Sequence, residues 1–347
     1  LSGSNSVPAP LPGRRGTACF ALIVAAFFAA NMAYGYWVLR QPPAVPGLRV
    51  AVVQANIEQH RKWDESQRAA IMAVYESLSL SAGRRQPALI IWPETATPLP
   101  ISFNADIYRQ VASIADRTQA SILLGSAQVQ KFLPDAPENA ELKNSAYLVT
   151  PGKRLVQQHY DKMHLLPFGE YLPLEQWVPW QRLGIVKASD FRPGHKAYVF
   201  FLKGYQFAAP ICWENIFPAI TRAFVQNGAQ FIVNITNEAW FGKSAAPYQF
   251  LAMNVFRAVE NRRSVVRCAN TGISCIIDTR GRVVDRVRDS AGSDIFVRGV
   301  LNGHVARNDE ITLYTRWGDW IVGLALLALI FLLLSCQYHH LRSHAQD

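Results

Sequence analysis

Two long runs without a charged residue frame this chain. Residues 17–39, TACFALIVAAFFAANMAYGYWVL, hold 23 uncharged positions, enough at about 1.5 Å per residue to cross roughly 30 Å of hydrocarbon as a helix. Residues 320–336, WIVGLALLALIFLLLSC, are shorter and more hydrophobic, with Trp317 and Trp320 where an interfacial aromatic belt belongs. Both read as membrane spans. The first is longer than the apolar core of a secretory signal, and nothing follows the second that would bury it as a core helix.

The stretch between them alternates two periods. After the proline-rich linker QPPAVPG, LRVAVVQANI is an apolar, β-branched strand; Ile71, Val74, Tyr75 and Leu78 then recur at helical spacing. PALIIWPE reads as a buried strand, Ile107, Val111 and Ile114 as a helix face, and SILLGSA as a strand. NSAYLVT and KRLVQQHYDK flank Pro151 and Gly152 as a hairpin. YQFAAPICWE and AQFIVNITNEAW are strands around a helix near Ile220 and Phe224, Pro247 opens a helix carrying Leu251, Val255 and Ala258, and short strands fill 264–300. Strands this apolar need helices over at least one face, so the class is α/β. No internal repeat and no low-complexity tract is visible.

Composition sharpens this picture. The chain has 347 residues, 50% hydrophobic and 17% charged, against a usual charged share of about 25%. The charge of +10 (35 − 25) suits nucleic acid or an anionic membrane surface. Scattered basic residues without a zinc-finger or RNP-like pattern exclude nucleic acid as the partner and favour the membrane. Arg14 and Arg15 before the first span and Arg342 after the second place both ends in the cytoplasm, although Arg40, Arg49 and Arg316 weaken the contrast. The expected organisation is a cytoplasmic segment 1–16, spans 17–39 and 319–336, a linker 40–48, an extracytoplasmic domain 49–315 and a cytoplasmic tail 337–347. Of five cysteines, Cys19 and Cys336 fall in the spans. Cys268 and Cys275 read as buried thiols rather than a disulfide, and no spacing suits a structural metal.

Three polar residues end apolar strands in segments crowded with Pro, Gly and aromatics: Glu94 in IIWPETA, Lys162 in HYDKMHLLPFGEYLP and Cys212 in APICWENIFP. Strand ends are where open α/β sheets place their sites. A thiol of ordinary pKa is only a few per cent ionised at neutral pH, so a nucleophilic cysteine needs a base or a cation beside it. A carboxylate and an ammonium supply both. Taken singly, each residue has an ordinary explanation: a packed thiol, a solvated lysine, a helix-capping glutamate.

Together, in order and in these contexts, the segments WPET, YDKMHLLPFGEY and ICWE resemble the nitrilase superfamily, whose Glu-Lys-Cys triad sits in an α-β-β-α sandwich. The segments KMHLLPFGEYLP, NEAWFGKSAAPYQFLAMNVFRAVENRR, ANTGIS and LYTRWGDW are similar to those of the apolipoprotein N-acyltransferase family, bacterial inner-membrane enzymes that add the third acyl chain to lipoproteins. This resemblance covers nearly the whole chain. It implies Glu94 as general base, Lys162 as stabiliser of the tetrahedral intermediate, Cys212 as nucleophile and Glu170 as a second essential glutamate holding the lysine and cysteine. It further implies Glu214 as a carboxylate beside the nucleophile, and the Trp213 N–H as an oxyanion donor. The implied partners are a phospholipid acyl donor, a diacylated apolipoprotein acceptor and the bilayer, with neither a cofactor nor a metal. Phe132, Leu133, Trp177, Val178 and Trp180 are candidates for lipid contact, or else for core packing.

Two positions depart from the family pattern: Glu238 stands in NEAWFG where Asp is expected, and Trp213 where Tyr or Phe is commoner. The family has about eight spans with its catalytic domain between the last two, so this chain corresponds to a C-terminal portion or to a reduced relative. Two rivals are an amidase or nitrile hydrolase, in which water replaces the acceptor amine, and a catalytically silent binding protein. A Cys-His hydrolase using His159 or His164 is a third.

Overall fold

In a computed structural model, described for residues 14–42, 45, 47–133, 136–153, 158–185 and 190–344, two units are distinct, 1–43 and 44–347. The first contributes helix α1 (Arg14–Arg40), whose Ala21–Arg40 stretch is long and apolar enough to cross a membrane. Among the described residues it is the one helix that meets that length.

The second unit begins with strand β1 (Leu48–Gln54), and its side chains show the logic of the whole domain. Val50 and Val52 point to one face and Ala51 and Val53 to the other, and both faces are buried. A strand apolar at every position has to lie between two layers. Helices α2 (Arg68–Gly83) and α3 (Ala105–Thr118) alternate with β2 (Leu89–Ile91) and β3 (Ser121–Leu133), followed by β4 (Ala136–Val149) and β5 (Gln158–Asp161). Then come β6 (Val199–Leu202), β7 (Tyr205–Ala208), α4 (Pro218–Gln226), β8 (Phe231–Thr236), α5 (Ala246–Asn261) and β9 (Ser264–Ala269). Strands β10 (Cys275–Ile277), β11 (Val283–Arg286) and β12 (Gly299–Val305) precede helices α6 (Leu313–Trp317) and α7 (Trp320–His344).

The strands form two six-stranded sheets, ordered β12-β1-β2-β3-β4-β5 and β6-β7-β8-β9-β10-β11. In each, the second to fourth strands are mutually parallel and the outer pairings antiparallel. The topology therefore repeats although the sequence shows no repeat. Pairing pattern and strand alternation define such a unit, and many different apolar residues satisfy both.

Side chains from both sheets meet in the central core: Val50, Val52, Leu89, Ile91 and Leu123 from one, Phe207, Phe231, Val233 and Val266 from the other. Stacked rings of Phe200, Phe207 and Phe231, at successive centroid spacings of 5.1 Å, tie β6, β7 and β8 together. Helices α2 and α3 cover the outer face of the first sheet through Ile71, Tyr75, Val111 and Ile114. Helices α4 and α5 cover the second through Val225, Leu251 and Ala258. The result is four layers, α-β-β-α.

Differences from the sequence reading concern extents. Strand β3 runs to Leu133 and pairs with β4 from Ala136 onward, making a long hairpin where the sequence suggested only SILLGSA. The sequence beyond SILLGSA, QVQKFLPDAPENAEL, lacks the alternation that marks a half-buried strand. The hairpin β4-β5 pairs Ser145 with Asp161 through Leu148 with Gln158. Strand β12 continues to Val305. Cys212, Cys268 and Cys275 are buried free thiols. The side chains of Cys19, Cys336, Phe132 and Leu133 lie outside the described residues.

After β12 the chain is clamped to the domain before α7 begins. Arg222 and Gln226 of α4 donate to the Thr315 carbonyl at 2.8 and 2.9 Å, and the Thr312 hydroxyl donates to Glu260 O at 2.6 Å. Helix α7 exposes Ile321, Val322, Leu324, Leu327 and Ile330 on every side, an arrangement that water does not favour. Its apolar portion, Trp320–Ser335, is shorter than that of α1.

Candidate active site

Glu94 leaves the carboxyl end of β2 in a tight turn zipped to β3: Trp92 N donates to Leu123 O at 2.8 Å and Ala96 N to Gly125 O at 2.8 Å. Thr95 takes a left-handed conformation, φ +49°, to complete it. Lys162 directly follows β5; its N–H donates to Asn144 O at 2.8 Å and its carbonyl accepts from Gly194 N at 2.7 Å. Cys212 opens a 3-10 helix, Cys212–Ile216, just past β7, with φ +55°. A non-glycine residue at positive φ is strained and persists where its surroundings hold it. Here Asn234 Nδ2 on β8 donates to the carbonyls of Pro210 and Cys212, each at 3.1 Å.

Glu94, Lys162 and Glu170 meet in one buried cluster. Lys162 Nζ lies 3.3 Å from Glu94 Oε1 and 2.9 Å from Glu170 Oε1, with Glu170 Oε2 at 2.8 Å. Lys162 is 1% exposed and Glu94 6%, so their charges interact with little solvent screening. Glu170 is fixed by the Leu166 N–H at 2.7 Å.

Glu214 is fully buried and accepts four hydrogen bonds: from Tyr160 Oη, Met163 N and His164 N at 2.8, 2.7 and 3.0 Å on Oε1, and from Ile211 N at 2.7 Å on Oε2. It thus ties the Lys162 segment to the Cys212 turn while satisfying local N–H groups. The Trp213 indole donates to His164 O at 2.8 Å and packs edge-on against Phe217, 5.0 Å between centroids. Glu214 gathers its partners mainly through loop backbone, a role that residue type alone does not reveal.

Several residues that the sequence did not mark as part of the site belong here. Asn144 Nδ2, on β4, donates at 2.7 Å to Oε1 of both Glu94 and Glu170. The Asn237 N–H at the end of β8 donates at 2.8 Å to Glu94 Oε2. Lys62 Nζ donates at 3.2 Å to the Glu94 carbonyl. Glu238, at the position that departs from the family pattern, forms a buried ion pair with Arg267 of β9. Asn144 sits in an ordinary strand sequence and Lys62 in a run, HRKWDE, that reads as a solvated face; neither signals a site without the fold.

Electrostatics define the resting state. Burial, and then the nearby Glu94 carboxylate, push the Cys212 thiol up, against weaker pulls from Lys162 and the Thr236 hydroxyl, so the sulfur rests protonated. Burial alone would lower the Lys162 ammonium, but Glu94, Cys212 and Glu170 together outweigh it and hold it above its ordinary value. Such an arrangement can transfer a thiol proton to Glu94 as sulfur attacks, with a fixed cation beside the developing oxyanion. Among the described residues no cluster of three or more His, Cys, Asp or Glu suits a metal.

The loops around this cluster are apolar at their tips. Trp177 is 82% exposed, Leu174 68%, Trp240 60% and Phe168 47%. Trp180 is half-buried, its indole donating to Pro173 O at 2.7 Å and its ring edge-on to Phe168, so it braces the loop; Val178 is half-buried as well.

Comparison with known proteins agrees with this architecture. The apolipoprotein N-acyltransferase of Geobacter metallireducens is 36% identical over 327 residues, covering 92% of this chain and 60% of the relative. That of Chlorobaculum tepidum is 33% identical over 296 residues, covering 80% and 54%. The chain thus spans little more than half the length of these relatives. Among solved structures, an amidase from Nesterenkonia superposes with a TM-score of 0.55 at 18% identity, covering 82% of this chain and 98% of that one. A CN-hydrolase superfamily protein of Xanthomonas campestris gives 0.55 at 19% identity over 75% and 90%. The model of the carbon-nitrogen hydrolase family matches residues 49–308, and the chain belongs to that family.

Proposed function

We propose that this chain carries the catalytic domain of an apolipoprotein N-acyltransferase, moving a fatty acyl group from a phospholipid through a Cys212 thioester to the amine of a diacylglyceryl-cysteine. The observation that carries this reading is the match to N-acyltransferases along 92% of the chain at 36% identity. Helices α1 and α7 are read as spans on either side of a periplasmic domain, in the bacterial inner membrane. The exposed Leu174, Trp177 and Trp240 fit loops that meet lipid.

In the first half-reaction Glu94 takes the thiol proton as Cys212 attacks the acyl carbonyl carbon. The oxyanion forms beside Lys162 and the Trp213 N–H. Collapse breaks the ester C–O bond, and the lysophospholipid oxygen leaves with the proton held by Glu94. In the second, the acceptor amine attacks the thioester carbonyl, Glu94 accepts an amine proton, and the C–S bond breaks to restore the cysteine with that proton. Glu170 and Asn144 hold Lys162 and Glu94 in register throughout. No step needs a cofactor. Tethering suits the substrates, both lipid-embedded, because it raises their effective concentration at the site. Excluding water protects the thioester from hydrolysis.

The test offers the protein, in mixed micelles with phosphatidylethanolamine, either a diacylglyceryl-cysteine peptide or water alone as acceptor. The reading predicts N-acyl peptide and little free fatty acid. Release of free acid at the same rate with and without the peptide would favour an amidase-like hydrolase, and binding of the peptide without any acyl transfer would favour a silent binding protein.

A further inference from the structure

Lys62 sits in a 3-10 helix, Arg61–Trp63, just beyond β1, and its side chain runs inward until only 5% is exposed. A buried ammonium is expensive unless something compensates it. Its described partner is the carbonyl of Glu94, at 3.2 Å, in the turn that left-handed Thr95 makes tight. A small cavity beside it is lined by Ile71, Thr95, Ala96, Thr97 and Pro98, and Glu94 is the anion acting on it.

The charges facing Glu94 come from every neighbouring segment. Lys162 and Glu170 lie on one side, Cys212 on another, and Glu238, neutralised by Arg267, behind the end of β8. Glu214, which also acts on Lys162, is met by three backbone N–H groups and the Tyr160 hydroxyl. Glu94 and Glu170, joined through one Asn144 amide nitrogen, therefore share the single ammonium of Lys162. Two buried carboxyl groups thus face one ammonium.

We infer that Lys62 is a positioning residue for Glu94, a second cation beside its carboxyl group that holds its turn through the backbone carbonyl. This rests on the reading of Glu94 as the base. Burial pushes the Lys62 ammonium down to about 8 against the pull of Glu94, so it remains mostly charged at neutral pH.

The test is the rate of Cys212 alkylation by iodoacetamide from pH 5 to 9, read at the Cys212 peptide by mass mapping so that no acyl substrate is needed. Lys62→Met and Lys62→Gln are expected to move the acid limb upward by about one pH unit and to slow labelling at pH 6 by about tenfold, converging on wild type near pH 9. Lys62→Arg restores the wild-type limb. Gln keeps a donor for the Glu94 carbonyl without charge, so it separates the two roles and stands in should Met not fold. A folded Met or Gln variant with an unmoved limb, or slowed equally at all pH, would overturn the inference. Glu94→Gln is the reference: a wild-type limb in that variant refutes Glu94 as base, whereas loss of the limb there with wild-type behaviour in the Lys62 variants refutes Lys62 alone.

Discussion

Gly125 of β3 packs so closely on Glu94 that a Cβ at position 125 would stand 2.6 Å from Glu94 Cα and 2.7 Å from the Thr95 nitrogen. Both obstacles are backbone and cannot swing aside, so the absence of a side chain at 125 sets where the Glu94 carboxyl group stands. Gly125→Ala is expected to cost about 1–3 kcal/mol of stability through overpacking. Displacing the carboxylate should slow Cys212 acylation by about a hundredfold or more. Urea unfolding in detergent and single-turnover mass spectrometry read the two effects separately.

Glu214→Gln replaces an acceptor of four hydrogen bonds by a group with only one acceptor oxygen. Whichever way the amide faces, its NH2 opposes an N–H or hydroxyl donor that was satisfied. A loss of about 3 kcal/mol is expected, measured as a lower urea midpoint with unchanged m-value. A midpoint equal to wild type would show that the carboxylate does not tie the lysine and nucleophile segments.

The buried thiols predict an alkaline weakness. Burial pushes Cys275 up to about 12, and raises Cys268 and Cys212 as well, while unfolded thiols ionise near 8.5. Between those values the native state holds protons that the unfolded state has released, so stability is fully present below about pH 8.5 and falls as pH rises toward the folded values. Each thiol contributes a slope of about 1.4 kcal/mol per pH unit in that window. Urea unfolding at pH 8 and pH 10, with and without Cys275→Ala, checks the sign: the variant should lose less on going to pH 10.

Trp177 supports little of the fold, being 82% exposed. Trp177→Asp is therefore expected to leave the melting temperature unchanged while raising several-fold the phosphatidylethanolamine concentration that half-saturates Cys212 acylation in mixed micelles. An unaltered half-saturating concentration would remove this loop from the lipid-facing surface.

Much of the architecture was legible because apolar runs such as LRVAVVQ and FIVNIT have strand length and no polar face, which forces a layered α/β domain. Glu94, Lys162 and Cys212 could be picked out at strand ends, and Glu170 through its segment. The supporting residues could not. Asn144 acts because β4 lies beside β5, Asn237 through a main-chain N–H that every residue owns, and Lys62 because a short helix turns it inward. Those facts belong to tertiary packing, and local sequence carries no trace of them. The apolar length of α7 shows the converse limit: composition marked it as a span, yet the stretch Trp320–Ser335 is shorter than that of α1.

The most direct test of the account is the intact mass of the chain after incubation with phosphatidylethanolamine micelles, wild type beside Cys212→Ala. The account predicts one added fatty-acyl mass on the wild type, removed by hydroxylamine, and none on the variant. A folded wild type that stays at its original mass, or an adduct that persists when Cys212 is replaced, would contradict it.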